Sequence, residues 1–142
     1  MAYTTLINLK KYMPIAMIEQ LSDDYNTGSL VTEIVEDMIS AADKLIDGHL
    51  RGRYPDEIAE GSVPDLIEDL STKLAAYNLY KRKLQATLPE AISKDYKYCI
   101  QTLKDIQVGK ITPFPEANEP AVVITNKTSS SRTYTSTVWD TY

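Results

Sequence analysis

The chain has 142 residues and a formal charge of −5, from 15 Lys+Arg against 20 Asp+Glu. That length holds one domain with room for a tail, and 43% hydrophobic with 25% charged residues is enough apolar material for a core and argues against wholesale disorder. A single cysteine, Cys99, and a single histidine, His49, exclude an intramolecular disulfide, every multi-cysteine zinc pattern and a histidine-rich metal site within one copy.

The first segment, Thr4 to Leu21, is apolar at Leu6, Leu9, Met13, Ile15, Met17, Ile18 and Leu21. Pro14 interrupts it, and proline suits a first helical turn but breaks an interior, so two short helices joined at Met13 and Pro14 are predicted. The polar run Ser22 to Gly28 reads as a loop. Ser29 then offers a cap for a helix of about 20 residues, roughly 30 Å long, with a core stripe at Leu30, Ile34, Met38, Ala41 and Leu45 and His49 as its polar member. Gly48 and Gly52 weaken its end and Tyr54-Pro55 stops it.

An acidic loop follows from Asp56 to Ser62. Pro64 and Asp65 open the next helix, whose stripe is Leu66, Leu70, Leu74, Tyr77 and Leu84, with Ala75 and Ala76 permitting close approach. Lys81-Arg82-Lys83 falls in its last turn, where cations complement the helix dipole. Pro89 and Glu90 open a last long helix with apolar positions Ile92, Tyr96, Cys99, Leu103 and Ile106, closed by Gly109. The fold class expected is therefore all-α: a bundle of about three long helices with short N-terminal ones.

Beyond residue 110 the character changes. Pro113, Pro115 and Pro120 rule out a further helix, the run Ala121 to Ile124 favours a β-strand, and ten of the residues from Ala121 to Tyr142 are Ser or Thr. The expected organisation is a helical body over 1–110 and an extended C-terminal arm over 111–142. Aromatic residues follow the same division: of ten Tyr, one Phe and one Trp, both Phe114 and Trp139 lie in the arm. A Ser/Thr-rich arm carrying Tyr134, Val138, Trp139 and Tyr142 presents large apolar groups without a core of its own, which points to docking on a partner, by strand addition among other modes.

Charge is uneven along the chain: residues 1–80 carry 6 Lys+Arg and 14 Asp+Glu, a balance of −8, whereas residues 81–112 carry 7 and 3, a balance of +4. Such a division suits head-to-tail packing between copies, although solvated helix faces account for the charge pattern more simply.

Little in the chain points to catalysis. His49 lacks a nucleophile and an orienting partner. Cys99 falls in an apolar stripe, where a thiol behaves as a small hydrophobe. Asp23, Asp24 and Asn26 beside Gly28 hint at a calcium loop, but the twelfth position is Ile34 or Val35 in the two possible registers, so the bidentate glutamate is missing. Five scattered glycines make no phosphate loop, and Asp56-Glu57 and Glu68-Asp69 read as solvated carboxylates. No metal, no cofactor and no catalytic residue is expected. No run approaches the roughly 18 apolar residues of a membrane span, and the N-terminus lacks a signal-peptide layout, so a soluble, unexported protein without membrane contact is expected. A second reading gives Lys81 to Lys83 and the basic last helix a regulatory or nucleic-acid-binding role.

The opening Met1-Ala2-Tyr3-Thr4-Thr5-Leu6, the segment Ile46-Asp47-Gly48-His49-Leu50-Arg51-Gly52-Arg53-Tyr54-Pro55 and the stretch Val63-Pro64-Asp65-Leu66 resemble the Mu-like phage family of small virion proteins placed with head-to-tail connectors. The likeness continues through Ala75 to Tyr80, Leu103 to Ile106 and Gly109-Lys110 into Ser131 to Thr135, and Asp47 to Pro55 is its most specific part. The resemblance implies a head-completion or adaptor protein in the virion, at the head–tail junction, assembled in the host cytoplasm. A homo-oligomeric ring would sit beneath the portal protein, with a tail-side connector or stopper as the next partner and DNA passing through the lumen without being read. The resemblance gives a docking role in the arm to Arg132, Tyr134 and Trp139, joined by Val138 and Tyr142 on the chemistry above. It gives a structural turn to Gly52, Arg53, Tyr54 and Pro55.

Overall fold

A computed structural model describes residues 2–55, 58, 61–83 and 87–114. They form five helices: α1 (Leu6–Tyr12), α2 (Ile15–Ser22), α3 (Thr32–Leu50), α4 (Asp65–Arg82) and α5 (Glu90–Gln107), with no strand among the described residues. The all-α expectation with three long helices holds. The strand expected at Ala121 to Ile124 lies outside the described residues.

Pro14 separates α1 from α2 as predicted, because it has no N–H to continue the ladder of α1 and its φ of −58° starts the next helix. Thr5 caps α1 through its Oγ1, which accepts from the Asn8 N–H at 3.4 Å. The start of α3 differs from expectation. Ser29 lies in a bend and does not cap; the helix begins at Thr32, and the Val31 N–H donates to Ser22 Oγ at 3.3 Å. A hydroxyl from the end of α2 thus occupies a backbone donor just before α3.

The core stripe of α3 also differs, by one position. Val35, Ile39, Ala42, Ile46 and Leu50 are buried, whereas Ile34 and Met38 are half-buried and Ala41 and Leu45 exposed. Asp43 sits inside the buried stripe and makes that face read as polar in sequence. The fold accepts it because the carboxylate is satisfied: Oδ2 accepts from the Tyr3 N–H at 3.1 Å and Oδ1 from the Ser71 hydroxyl at 2.6 Å. Thr4 and Thr72 hydroxyls meet beside it at 2.6 Å. The N-terminal segment, α3 and α4 are tied at this one buried cluster.

Helix α4 is the centre of the bundle and touches α1, α2, α3 and α5. It buries Ile67, Leu70, Leu74, Leu79, Tyr80 and the small residues Ser71, Thr72, Ala75 and Ala76, so it has several core faces rather than the single stripe predicted. Leu66 and Tyr77 are half-buried, and Leu84 lies outside the described residues. The small residues let neighbours approach closely. Helix α5 follows its predicted stripe, with Ile92, Cys99, Leu103 and Ile106 buried, and Tyr96 stacks on Tyr77 of α4 at 3.9 Å between ring centroids.

Burial holds the Asp43 carboxyl above its ordinary value; the Ser71 and Tyr3 donors pull it back and the Asp47 charge adds to the rise. A carboxyl that binds its proton more tightly in the folded chain loses stability as pH rises from the ordinary value of 3.8 towards the raised one. Denaturant titrations across that window are expected to show stability falling with pH, and Asp43→Asn is expected to flatten the dependence while leaving helix content unchanged.

Candidate functional site

The ends of α3 and α5 meet where the arm begins. Helix α5 closes with two backbone bonds around Gly109, whose φ of +83° favours glycine: Gly109 N–H donates to Ile106 O at 3.0 Å and Lys110 N–H to Asp105 O at 2.8 Å. This pair is a Schellman closure, and it turns the chain from the helix axis into the arm. Ile111, Pro113 and Phe114 then settle against the body, Pro113 buried and the other two half-buried.

The other half of the site is the segment Gly52 to Pro55. Arg53 N–H and Tyr54 N–H both donate to Leu50 O, at 2.9 and 2.8 Å, which winds the chain tightly off α3. Arg53 lies over Gly109 so closely that a Cβ there would fall 1.7 Å from a guanidinium nitrogen. Tyr54 meets Phe114 edge to face, with ring centroids 5.2 Å apart. Gly52 has open space around it and no positive φ, so the turn is built by Arg53, Tyr54 and Pro55. Tyr3 braces this end from the side through its hydroxyl to Asp47, and with Leu50, Arg51, Tyr54, Pro55 and Ile58 it lines a cavity of about 50 Å³. The Tyr54 hydroxyl is buried without a hydrogen-bond partner among the described residues.

The docking residues Arg132, Tyr134, Val138, Trp139 and Tyr142 lie outside the described residues, so the structure places only the root of the arm. Sequence reasoning marked Gly52 to Pro55 and Gly109 separately. It missed that the two touch, and it missed Phe114 as the aromatic that seals the junction. A lone Phe seven residues past the α5 end was the available signal.

The remaining candidates serve the fold. Burial, aided by nearby carboxylates, pushes the Cys99 thiol up to about 12, leaving it protonated and unreactive. His49 Nδ1 and Gln107 Oε1 share a hydrogen bond at 3.2 Å, joining the ends of α3 and α5. In the Ser22–Gly28 loop Asp23 accepts from the Tyr25 and Gly28 N–H groups at 3.1 and 2.7 Å. Burial pushes that carboxyl up, yet these donors together with Thr27 outweigh it and hold it below its ordinary value. Among the described residues no group of three His, Cys, Asp or Glu could hold a metal, and no helix is long and apolar enough to cross a membrane.

The Lys81 to Lys83 cluster is mostly spent inside the molecule. Arg82 grips Asp24 with both nitrogens, 2.7 Å for one of them, and Lys83 Nζ donates to the carbonyls of Gln20 and of Asp23, the latter at 2.7 Å. These cations complement the negative end of α2, rather than only that of their own helix. Of the three, Lys81 alone is exposed. The acidic pair Glu68-Asp69 is likewise engaged, Glu68 by Asn8 at 2.8 Å and Asp69 by Lys73 at 2.6 Å, and Asp56-Glu57 lies outside the described residues.

A family model described as bacteriophage Mu, Gp36 matches residues 3–131, the whole helical body, the arm root and much of the arm. The chain belongs to that family. Membership in the Gp36 family makes it a phage protein, in agreement with the likeness carried by Asp47 to Pro55. The matched span ends one residue before Arg132, so the five docking residues fall beyond the part that defines the Gp36 family. A search of curated proteins finds no match.

Two substitutions test the arm root. Gly109→Ala is expected to cost about 1–2 kcal/mol for the left-handed backbone, plus the displacement of Arg53; in an Arg53→Ala background only the backbone part should remain, as read by denaturant titration of the four combinations. Tyr54→Phe removes a hydroxyl that satisfies nothing, and its stability is expected to equal or exceed that of the wild type, by up to about 2 kcal/mol.

Proposed function

We propose that the protein is a structural virion component of a tailed phage or prophage, an adaptor joining the portal and head to the tail as part of an oligomeric ring around the DNA channel. The observation that carries this reading is the Gp36 family match, which runs unbroken from the body through the arm root into the arm. The architecture is consistent with it. A helical body with a rigid junction at one end can be held in a ring while the arm extends from a fixed point toward a neighbouring virion protein. Arg132, Tyr134, Val138, Trp139 and Tyr142 are the contacts this reading assigns to the portal protein or to the tail-side connector or stopper.

A ring around passing DNA must not grip phosphates, and a chain whose first 80 residues carry a balance of −8 can line a lumen through like-charge repulsion. The proposed role assigns no catalytic step, no cofactor and no membrane contact. It places the protein at the head–tail junction of the virion, and in the host cytoplasm during assembly.

Deleting residues Ile124 to Tyr142 tests the arm. Circular dichroism is expected to show an intact helical body, and complementation of a phage lacking the full-length protein is expected to produce heads that do not join tails. Normal particles from the truncated chain would overturn the role given to the arm.

A further inference from the structure

The geometry of α3 and α5 points to one specific contact between copies. Both helices run antiparallel to α4: Met38 of α3 lies against Asn78 and Asp43 against Ser71, while Tyr77 of α4 stacks on Tyr96 and Lys73 lies over the Tyr98 ring. Helices α3 and α5 are therefore parallel, and the His49 to Gln107 hydrogen bond sets their levels, a residue of α3 standing beside the residue 58 positions later on α5. By that register Glu36 is level with Lys94, and Lys97 is level with Ile39, within a turn of Asp37.

The side chains facing away from the core at this level have opposite charge. On α3 they are Glu33, Glu36 and Asp37, with Lys44 two turns on; on α5 they are Lys94, Lys97 and, further along, Lys104, with Glu90 one turn before Lys94, all exposed. None of the three carboxylates and neither Lys97 nor Lys104 has an ion-pair partner among the described residues. Lys94 holds only Glu90, an exposed pair one turn away that exchanges at little cost. Each face also has an apolar part: Ala41 and Leu45 are left uncovered on α3, and Val108 stands exposed at the end of α5.

We infer that the outer face of α3 in one copy docks on the outer face of α5 in the next, the copies standing side by side with their helices parallel. Rotation about an axis along the bundle preserves levels, so it carries Glu36 and Asp37 of one copy to the height of Lys94 and Lys97 in the other. The two surfaces are different, so the contact is heterologous and repeats around a closed ring. This inference rests on the ring reading above and names its interface. The arm plays no part in it.

The test is charge reversal read by sedimentation of the full chain, with circular dichroism as the control for folding. The wild-type chain is expected to associate as its concentration rises towards millimolar, less so in high salt. Lys94→Glu with Lys97→Glu, and separately Glu36→Lys with Asp37→Lys, should each remain monomeric where the wild type associates. An equimolar mixture of the two variants should associate again, because each supplies the face the other now needs. A mixture that stays monomeric, a variant that associates like the wild type, or a wild-type chain that is monomeric throughout overturns the proposal. If the lysine variant loses duplex DNA binding yet associates normally, the α5 face serves nucleic acid and the proposal also falls. Oligomers indifferent to both reversals would sink this interface and leave the ring, whereas normal particles from the arm-truncated chain would sink the arm's role and leave this interface.

Discussion

Every other helix in the body takes its position from α4, which buries side chains toward α1, α2, α3 and α5 alike. A helix in that position cannot present bulk in all directions, and the body has neither Trp nor Phe to use. Leu70, Leu74 and Leu79 supply volume, while Ser71, Thr72, Ala75 and Ala76 let backbones come near. Small polar residues in a core must be satisfied, and here they are put to use: Ser71 meets Asp43 and Thr72 meets Thr4. The same hydrogen bonds that make α4 tolerable as a centre also sew the N-terminus and α3 onto it.

Charge inside the molecule is used in a consistent way. The end of α2 and the approach to α3 are held by side chains from other elements, with Arg82 and Lys83 on carbonyls at the end of α2 and Ser22 on the donor that precedes α3. Cations that look like a surface cluster in sequence are thereby committed to holding α2 and its loop. Among the exposed charges, those without an ion-pair partner near the start of α3 (Glu33, Glu36 and Asp37) and on α5 (Lys97 and Lys104) differ in sign. A monomer gains little from such a division, since exposed charges interact weakly with one another through water. Two copies brought side by side gain from it directly.

The segment that follows α5 packs back on the end of α3. Gly109 turns the chain, Arg53 covers the turn, and Phe114 packs against Tyr54. The most specific segment of the sequence, Asp47 to Pro55, therefore lies beside the arm root although it is some fifty residues from it in the chain.

By itself the sequence determined the helix count among the described residues, the break at Pro14 and the closure at Gly109, because each depends on local chemistry such as a missing N–H or a left-handed φ. It also placed Cys99 in the interior. Local periodicity could not choose between two adjacent apolar stripes on α3, since Asp43 disguised the true core face until Ser71 and Tyr3 were there to satisfy it. Nor could it show that α4 is surrounded, that Arg82 and Lys83 turn inward, or that Arg53 lies on Gly109. Those are pairings between residues far apart in the chain, and only the tertiary structure, which brings the donor to its acceptor and the ring to its partner, decided them.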